Sequence, residues 1–177
     1  MAMTLNNATQ NDKRGSHDSG QAILECALSV MVMLSFMFGM IDFSRAIYEQ
    51  QEVTSLAAQA ANLSMRGTAL GTAASSAVSA SSNLNLGSNG KVIVSAVYMA
   101  VGAHVPQVTA QGSAGGITAT SKVGTTGGNA SLPSGAVPPA QQTVYAAEVF
   151  YKYQPITPIG KLVAWTLPTQ LYDVAYY

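Results

Sequence analysis

The sequence contains few charged residues, and those it has carry no net excess of either sign. Asp, Glu, Lys and Arg make up 9% of 177 residues, and the formal net charge is zero. Because a nucleic-acid-binding surface needs clustered Lys and Arg to neutralise phosphates, this composition argues against nucleic acid as a partner. The length leaves room for one modest domain beside a membrane segment.

Cysteine and the usual catalytic residues are also scarce. The single cysteine, Cys26, excludes an intrachain disulfide, so an exported domain would have to be stable without one. After Glu52 the only carboxylates are Glu148 and Asp173, and the only histidine is His104. No nucleophile motif, phosphate-binding glycine-rich loop or cluster of metal ligands is present. The sequence therefore predicts no enzyme, no catalytic residue, no cofactor and no metal site.

What the sequence does have is a long apolar run near its amino terminus. The run from Ala22 to Ile41 has 20 residues, and a helix of this length spans about 30 Å, the thickness of the hydrocarbon core of a bilayer. Lys13 and Arg14 precede it, so the positive-inside tendency places residues 1–20 in the cytoplasm and the rest of the chain outside. The polar, aperiodic composition of residues 1–20 predicts an unstructured leader.

Glu25 stands within this apolar run, one turn from its start. A carboxylate in lipid is unfavourable by a few kcal/mol at mid-depth, so such groups are usually paired or functional. If the chain were cut after Gly20, the new α-amino group of Gln21 would lie about 6 Å along the helix axis from the carboxylate. An amine of a neighbouring subunit could neutralise it better. The pattern resembles type IV pilins, in which prepilin peptidase cuts after a glycine and the fifth mature residue is glutamate; an uncleaved signal anchor is the alternative.

Three blocks of sequence, beginning with the segment around Glu25, together carry a more specific resemblance. The first is Gly20-Gln-Ala-Ile-Leu-Glu25, the second is Phe38-Gly-Met-Ile-Asp-Phe-Ser-Arg-Ala-Ile-Tyr48, and the third is Gln51-Glu-Val-Thr54. Together they resemble the TadE-like family of the tight-adherence (Flp-type, type IVb/IVc) pilus system. The sequence Tyr-x-Tyr-x-Pro-x-Thr-Pro at residues 151–158 is similar to the carboxyl-terminal part of the same family.

This resemblance implies a minor pilin, or pseudopilin, that takes part in initiation, assembly or tip formation of the pilus. Prepilin peptidase would cleave between Gly20 and Gln21, and Glu25 would act in subunit assembly. Asp42 and Arg45 lie in the family block at the membrane border, so docking to another subunit is the alternative to a solvated face for these two residues.

The resemblance also implies partners and a location. The partners are other pilin subunits, prepilin peptidase, the inner-membrane assembly platform and the membrane itself. The subunit would rest in the inner membrane, with its amino terminus in the cytoplasm and its carboxyl-terminal domain outside, before extraction into an extracellular pilus. Two alternatives stay open: a surface-displayed adhesin that binds through its Gly/Ser/Thr-rich loop and aromatic carboxyl end, and an uncleaved, membrane-anchored periplasmic accessory protein.

Periodicity predicts that the helix continues past the membrane to about Met65. Asp42, Arg45, Glu49 and Glu52 recur at spacings of three and four, which predicts a solvated charged face where Arg45 pairs with Asp42 and Glu49. A separate apolar stripe is available to pack on the outer domain. It consists of Val53, Leu56, Ala57, Ala60 and Leu63.

Residues 67–177 are predicted to form a β-rich outer domain, and residues 21–66 the membrane-spanning and amphipathic helix. The fold class is α+β and pilin-like, with the long helix packed on a small antiparallel sheet. Residues 111–140 are rich in Gly, Ser and Thr and are predicted to be a loop, either functional or disordered. The terminal tyrosines are expected in the core rather than at an exposed patch. Predicted strands cover 91–101, a segment around 104–108, 117–123, 143–153 and 171–177, with a weakly packed helix at 73–80.

Overall fold

The computed structural model describes residues 3–81, 83–158, 160 and 168–177, with the side chains of residues 3–19 and 134 outside that description. As predicted, the architecture is α+β, with a long amino-terminal helix packed on an antiparallel sheet. The apolar sequence at residues 162–167 lies outside the described residues.

Helix α1 runs from Met3 to Met65. It begins well before the predicted start at Gln21, so the prediction of an unstructured leader is wrong for the backbone from Met3 onward. The reason lies in the absence of proline before Pro106. A helix nucleated in the apolar run can extend because each added residue closes one more backbone hydrogen bond.

The carboxyl end of α1 is set by Gly67. Its φ of +92° places it in the left-handed region, which glycine adopts without a Cβ penalty. The amide of Gly67 donates to the carbonyl of Ser64 at 3.0 Å, and the amide of Thr68 donates to that of Leu63 at 3.1 Å. These bonds satisfy carbonyls of the last turn and turn the chain back toward the sheet.

Four antiparallel strands form one sheet in the order β2-β1-β3-β4. The two central strands are buried along most of their length, as the apolar pattern on both faces of β1 predicted. Strand β2 follows Pro106 and lies at an edge, also as predicted, but it begins at Gln107 and runs to Gly115, so the prediction of a loop is wrong for residues 111–115. The strands are β1 Gly90–Tyr98, β2 Gln107–Gly115, β3 Thr143–Lys152 and β4 Gln170–Tyr176.

One face of the sheet is covered by helices. The apolar stripe of α1 packs on it together with helix α2, Leu70–Ala80, and helix α3, Leu86–Asn89. The predicted weak packing of α2 is wrong, because its small residues let its backbone approach β2 closely. A Cβ added at Gly112 of β2 would lie 2.3 Å from the backbone nitrogen of Gly71 in α2. The buried stripe of α1 consists of Ala46, Val53, Leu56, Ala57, Ala60 and Ala61.

The other face is covered by residues 116–142, which contain a short 3-10 helix, Pro133–Gly135. This segment is ordered by a second apolar cluster, in which Val123, Ala130 and Leu132 pack against Val97 and Ala146 of the sheet. The predicted strand at 117–123 is wrong, because the segment crosses the sheet face as an irregular cover. Its backbone instead bonds locally, as where the amide of residue 131 donates to the carbonyl of residue 123 at 2.7 Å.

The terminal tyrosines do not join this core. Tyr176 and Tyr177 are exposed, so the expectation that they are buried is wrong. Strand β4 is a sheet edge, and the apolar cover of the second face reaches Val174 but leaves the strand end open.

Candidate functional site

The amino-terminal half of α1 stands free of the rest of the described chain. No residue of its most apolar 18-residue stretch is buried, and the mean hydropathy of that stretch is 2.0. Large apolar side chains such as Leu24, Met33 and Phe36 are exposed around the helix. By length and composition this helix is able to cross a membrane, since bilayer lipid would cover the apolar surface that water cannot.

The predicted cleavage and assembly residues lie at the start of this exposed segment. Gly20, Gln21 and Glu25 are all exposed within continuous helix. Among the described residues the Glu25 carboxylate has no hydrogen-bond or ion-pair partner. A carboxylate at this depth in lipid would require a positive group from elsewhere.

Asp42, directly after the apolar run, is held by the carboxyl-terminal half of the chain. Its side chain is only 1% exposed. Oδ1 accepts hydrogen bonds from the amides of Ile156 and Thr157 at 3.1 and 3.3 Å, and Oδ2 accepts one from the Thr157 hydroxyl at 2.5 Å. The Tyr153 hydroxyl donates to the Asp42 backbone carbonyl at 2.8 Å. We call Asp42, Tyr153, Ile156, Thr157 and Gly160 the Asp42 cluster.

Gly160 completes this cluster by having no side chain. Its amide donates to the Thr157 hydroxyl oxygen at 3.0 Å, which orients that hydroxyl toward Asp42. A Cβ at this position would lie 1.8 Å from Asp42 Oδ2, far inside van der Waals contact. The close approach of backbone to carboxylate therefore requires glycine here.

Arg45 and Glu49 form an ion pair one turn further along α1. Arg45 Nη2 lies 2.6 Å from Glu49 Oε1, and Arg45 Nε donates to the same oxygen at 3.2 Å. The predicted pairing of Arg45 with Glu49 is confirmed, but Asp42 is bonded to the cluster and not to Arg45. Glu49 is 3% exposed, and its Oε2 is buried without a hydrogen-bond partner in the described part of the chain.

The prediction of a solvated charged face is thus wrong for Asp42 and Glu49. They lie at helical spacing with Ala46 and Val53 on the side of α1 that packs against the sheet. Hydrogen bonds to Asp42 and the Arg45 guanidinium beside Glu49 compensate for the water that burial removes from these two side chains. Glu52 lies nearer the surface, where its carboxylate accepts hydrogen bonds from Asn83 at 3.3 and 3.4 Å.

Two tyrosines of β3 and its extension face these acids. Burial raises the pKa of Tyr153, and the nearby Asp42 carboxylate raises it further. Burial likewise raises the pKa of Tyr151, with a smaller contribution from Glu49. Both hydroxyls therefore stay protonated at neutral pH, and that of Tyr153 donates its hydrogen bond to the helix.

Another buried acid, Glu148, lies on the sheet face opposite to the helices. Glu148 is 0% exposed and accepts hydrogen bonds from the Ser121 hydroxyl, from the Lys122 amide at 2.7 Å and from the Tyr172 hydroxyl at 3.0 Å. The Lys122 ammonium lies 3.6 Å from the centroid of the Tyr172 ring, a cation–π contact. Burial raises the pKa of Tyr172, and Glu148 adds to the shift. This network anchors the covering segment to β3 and β4 and shows no catalytic geometry.

A groove opens where α1 passes β4, which we call the α1–β4 groove. Its volume is about 530 Å³. Two polar contacts join the helix and the strand here: Gln50 of α1 donates to the Tyr172 carbonyl at 3.2 Å at the groove, and one turn further the Thr54 hydroxyl donates to Asp173. The lining is apolar with an amide rim: Phe43, Ala46, Ile47, Gln50, Gln51, Pro168, Gln170, Leu171 and Tyr172.

Sequence reasoning missed that two of its motifs meet. Asp42 belongs to the block at 38–48, and Tyr153 and Thr157 belong to the block at 151–158. The sequence alone does not show that these two blocks are in contact. The signal available was the presence of both blocks in one resemblance, together with a Thr-Pro sequence able to donate to a carboxylate. Within the described residues no group of three or more His, Cys, Asp or Glu side chains could hold a metal ion.

Comparison with known proteins gives a match to most of helix α1 and to no later part of the chain. A family model described as TadE-like protein matches residues 20–62, which is the part of α1 from the predicted cleavage glycine to the last turns against the sheet. No curated protein and no solved structure was found to match the chain. The resemblance drawn from the sequence is confirmed for this segment.

Proposed function

We propose that this chain, with its TadE-like segment at residues 20–62, is a minor pilin or pseudopilin of a tight-adherence pilus. Prepilin peptidase removes residues 1–20, the mature subunit waits in the inner membrane, and the assembly platform moves it sideways into the filament. Its outer domain favours a role in initiation or at the tip, since it is large relative to the helix that anchors it.

The single observation that carries this proposal is the division of α1 into two halves with different surroundings. From Gly20 to Ile41 the helix is exposed and apolar, and from Asp42 onward one side is buried against the outer domain. An anchor for a soluble domain needs only the first half and a flexible linker. A continuous helix that enters the domain without a linker suits transfer of the whole subunit from lipid into a helical bundle.

Glu25 supplies the chemistry for that transfer. In lipid the carboxylate would be costly without a positive partner. After cleavage, the α-amino group of a neighbouring subunit provides such a charge, and the Coulomb attraction is strong because the apolar bundle screens it little. The pairing favours entry of the mature helix into the filament over its remaining alone in the membrane.

The two alternatives are less well supported. An adhesin acting through residues 111–140 would need that segment free, but its apolar residues cover the sheet and its Ser121 and Lys122 bind Glu148. An uncleaved accessory protein would leave the exposed Glu25 without a role. The minor-pilin proposal is consistent with a packed covering segment and gives the exposed Glu25 a role.

Incorporation of Glu25 variants into the filament tests the proposal. Glu25→Ala should still insert in the membrane and be cleaved, but we expect its amount in the sheared pilus fraction to fall severalfold relative to its amount in membranes. Glu52→Ala is the matched control, since that carboxylate belongs to the outer half of the same helix. Equal recovery of both variants in filaments would contradict the assembly role of Glu25, and absence of the unaltered protein from filaments would contradict the proposed function.

A further inference from the structure

One face of α1 joins Glu25 to the α1–β4 groove. Phe43 lies 18 residues after Glu25, which is five turns at about 3.6 residues per turn, so both point in the same direction from the helix axis. Phe36 and Ile47 are close to the same direction, because they are displaced from Phe43 by about two turns and one turn. All four side chains are exposed. A continuous strip therefore runs along the helix from the carboxylate to the groove.

The groove ends this strip with a recess in the outer domain. Phe43 and Ile47 are 61% and 47% exposed, although each borders the concave space between α1 and β4. The rim carries amides from Gln50, Gln51 and Gln170 and no ionised side chain. An apolar side chain that enters the groove from the membrane side would be covered by its apolar lining and would leave no charge unpaired.

We propose that this strip and the α1–β4 groove form one docking surface for the membrane-spanning helix of a single neighbouring subunit. This inference rests on the proposed function and names the partner of the Glu25 site. The partner helix lies parallel to α1, with its free amino terminus at Glu25. On α1 the middle of the groove is near Ile47, 22 residues after Glu25. The partner helix therefore places an apolar side chain in the groove about 22 residues, or about 33 Å, beyond its amino terminus.

Two features of the strip fix the chemistry of the partner. Phe36 belongs to the apolar stretch that spans the membrane, so whatever lies along the strip must itself be apolar and embedded in lipid. The unpaired carboxylate at the other end requires a positive group at the depth of the first turn. A membrane helix with an amino-terminal charge meets both requirements, and the groove then fixes its register against the outer domain.

Site-specific photocrosslinking in cells that carry the pilus machinery tests this surface. A benzophenone amino acid is placed at Phe43 in the full chain, and in a second strain at Tyr48. The two positions form a matched pair, since both are natural aromatic residues with similar exposure, 61% and 57%. Five residues of helix separate them, which directs them to different sides of α1.

The expected result is a product from position 43, severalfold stronger than from position 48, in which mass spectrometry identifies a peptide from the membrane-spanning helix of a pilus subunit. The crosslinked residue should lie about 18 positions after that subunit's mature amino terminus, because Phe43 lies 18 residues after Glu25. Glu25→Gln, which removes the charge but keeps the shape, should reduce this product severalfold, because one partner contacts both ends of the strip.

Other results would overturn the inference. These are crosslinks from position 43 to lipid alone, equal yields of the same product from both positions, or a yield unaffected by Glu25→Gln. Cleavage and recovery in the sheared pilus fraction are measured on the same cells. Normal values with any of these results reject the docking surface alone, whereas loss of the unaltered protein from the filament rejects the proposed function.

Discussion

At the scale of single residues, the Asp42 cluster joins the membrane helix to the end of the sheet. Three donors converge on the Asp42 carboxylate within a space from which water is excluded, and a fourth donor binds its backbone carbonyl. Removing a buried acceptor leaves the donors without hydrogen bonds, which costs more than the net gain from forming them. The cluster therefore contributes more to the stability of the fold than an ion pair on the surface of an exposed helix does.

Replacing Asp42 with Ala is expected to lower the free energy of unfolding of the outer domain by about 2–4 kcal/mol, because three buried donors lose their acceptor. Near-ultraviolet circular dichroism of the full chain in detergent micelles, followed through a denaturant titration, measures this change. Asp173→Ala is the control, since that carboxylate lies near the surface, and it should cost less than about 1 kcal/mol. Similar losses from the two variants would contradict the account of the cluster.

Gly160→Ala tests the same cluster without altering Asp42. The added methyl group would lie 1.8 Å from Oδ2, so residues 156–160 must move away and the hydrogen bonds must lengthen. We expect a loss of stability in the same direction as Asp42→Ala. If Gly160→Ala and the unaltered protein unfold at the same denaturant concentration, the close approach at this glycine is not required.

Buried tyrosines predict an alkaline limit to stability. The pKa values of Tyr151, Tyr153 and Tyr172 are raised in the folded chain, chiefly by burial. Below the unfolded pKa of about 10, both states are protonated and the stabilisation is fully present. Above it, the unfolded chain loses protons that the folded chain keeps, so the free energy of unfolding falls as pH rises.

Denaturant titrations between pH 7 and 11.5 measure this dependence. Tyr172→Phe removes one of the three titrating groups and should make the decline above pH 10 less steep, since fewer protons distinguish the two states. A stability that is constant or rises above pH 10 would show that these hydroxyls are not buried as described.

At the scale of helices and strands, the contact between α2 and β2 depends on small residues. Gly112 faces the backbone of α2, and a Cβ there would meet the backbone of residues 70 and 71 at 2.3–2.8 Å. Gly71, on the helix side of this contact, has nothing within 4 Å of its own added Cβ. The two glycines at one interface therefore differ in what they tolerate.

Gly112→Ala should destabilise the outer domain by about 1–3 kcal/mol, because backbone cannot move aside as a flexible side chain can. Gly71→Ala should be neutral or stabilising by up to about 1 kcal/mol, since alanine is the better helix former. The same circular dichroism assay compares them. An equal effect of the two substitutions would contradict the packing of α2 on β2.

The sequence predicted these elements well where periodicity was strong. Alternation of apolar residues predicted both central strands, at 91–101 and 143–153, which end at Tyr98 and Lys152, and the helical stripe from Val53 predicted the packing of α1. It failed where burial depends on long-range contacts. Asp42 and Glu49 have the spacing of an exposed charged face, and only the donors from residues 153–157 and Arg45 explain their burial. The cover at 116–142 has no periodicity to read.

At the scale of the whole molecule, the chain joins a helix able to cross a membrane to a β-rich domain without an intervening loop. Between Gly20 and Ile41 no residue of α1 is buried, and from Asp42, which is buried in the Asp42 cluster, one side of the helix is covered. A force applied to α1 within the membrane is therefore transmitted directly to the sheet. This rigid connection is what a subunit requires if it is to be extracted and placed in a filament in a defined orientation.

Assembly through Glu25 depends on the proposed cleavage between Gly20 and Gln21, which frees a new amino terminus four residues before Glu25. Intact mass spectrometry of the membrane-extracted protein, with and without co-expressed prepilin peptidase, measures it directly. We expect a mature chain that begins at Gln21 only when the peptidase is present, and retention of residues 1–20 in a variant with Gly20 replaced. The same amino terminus before residue 21 under both conditions would contradict the pilin-like mechanism and leave α1 as a membrane anchor.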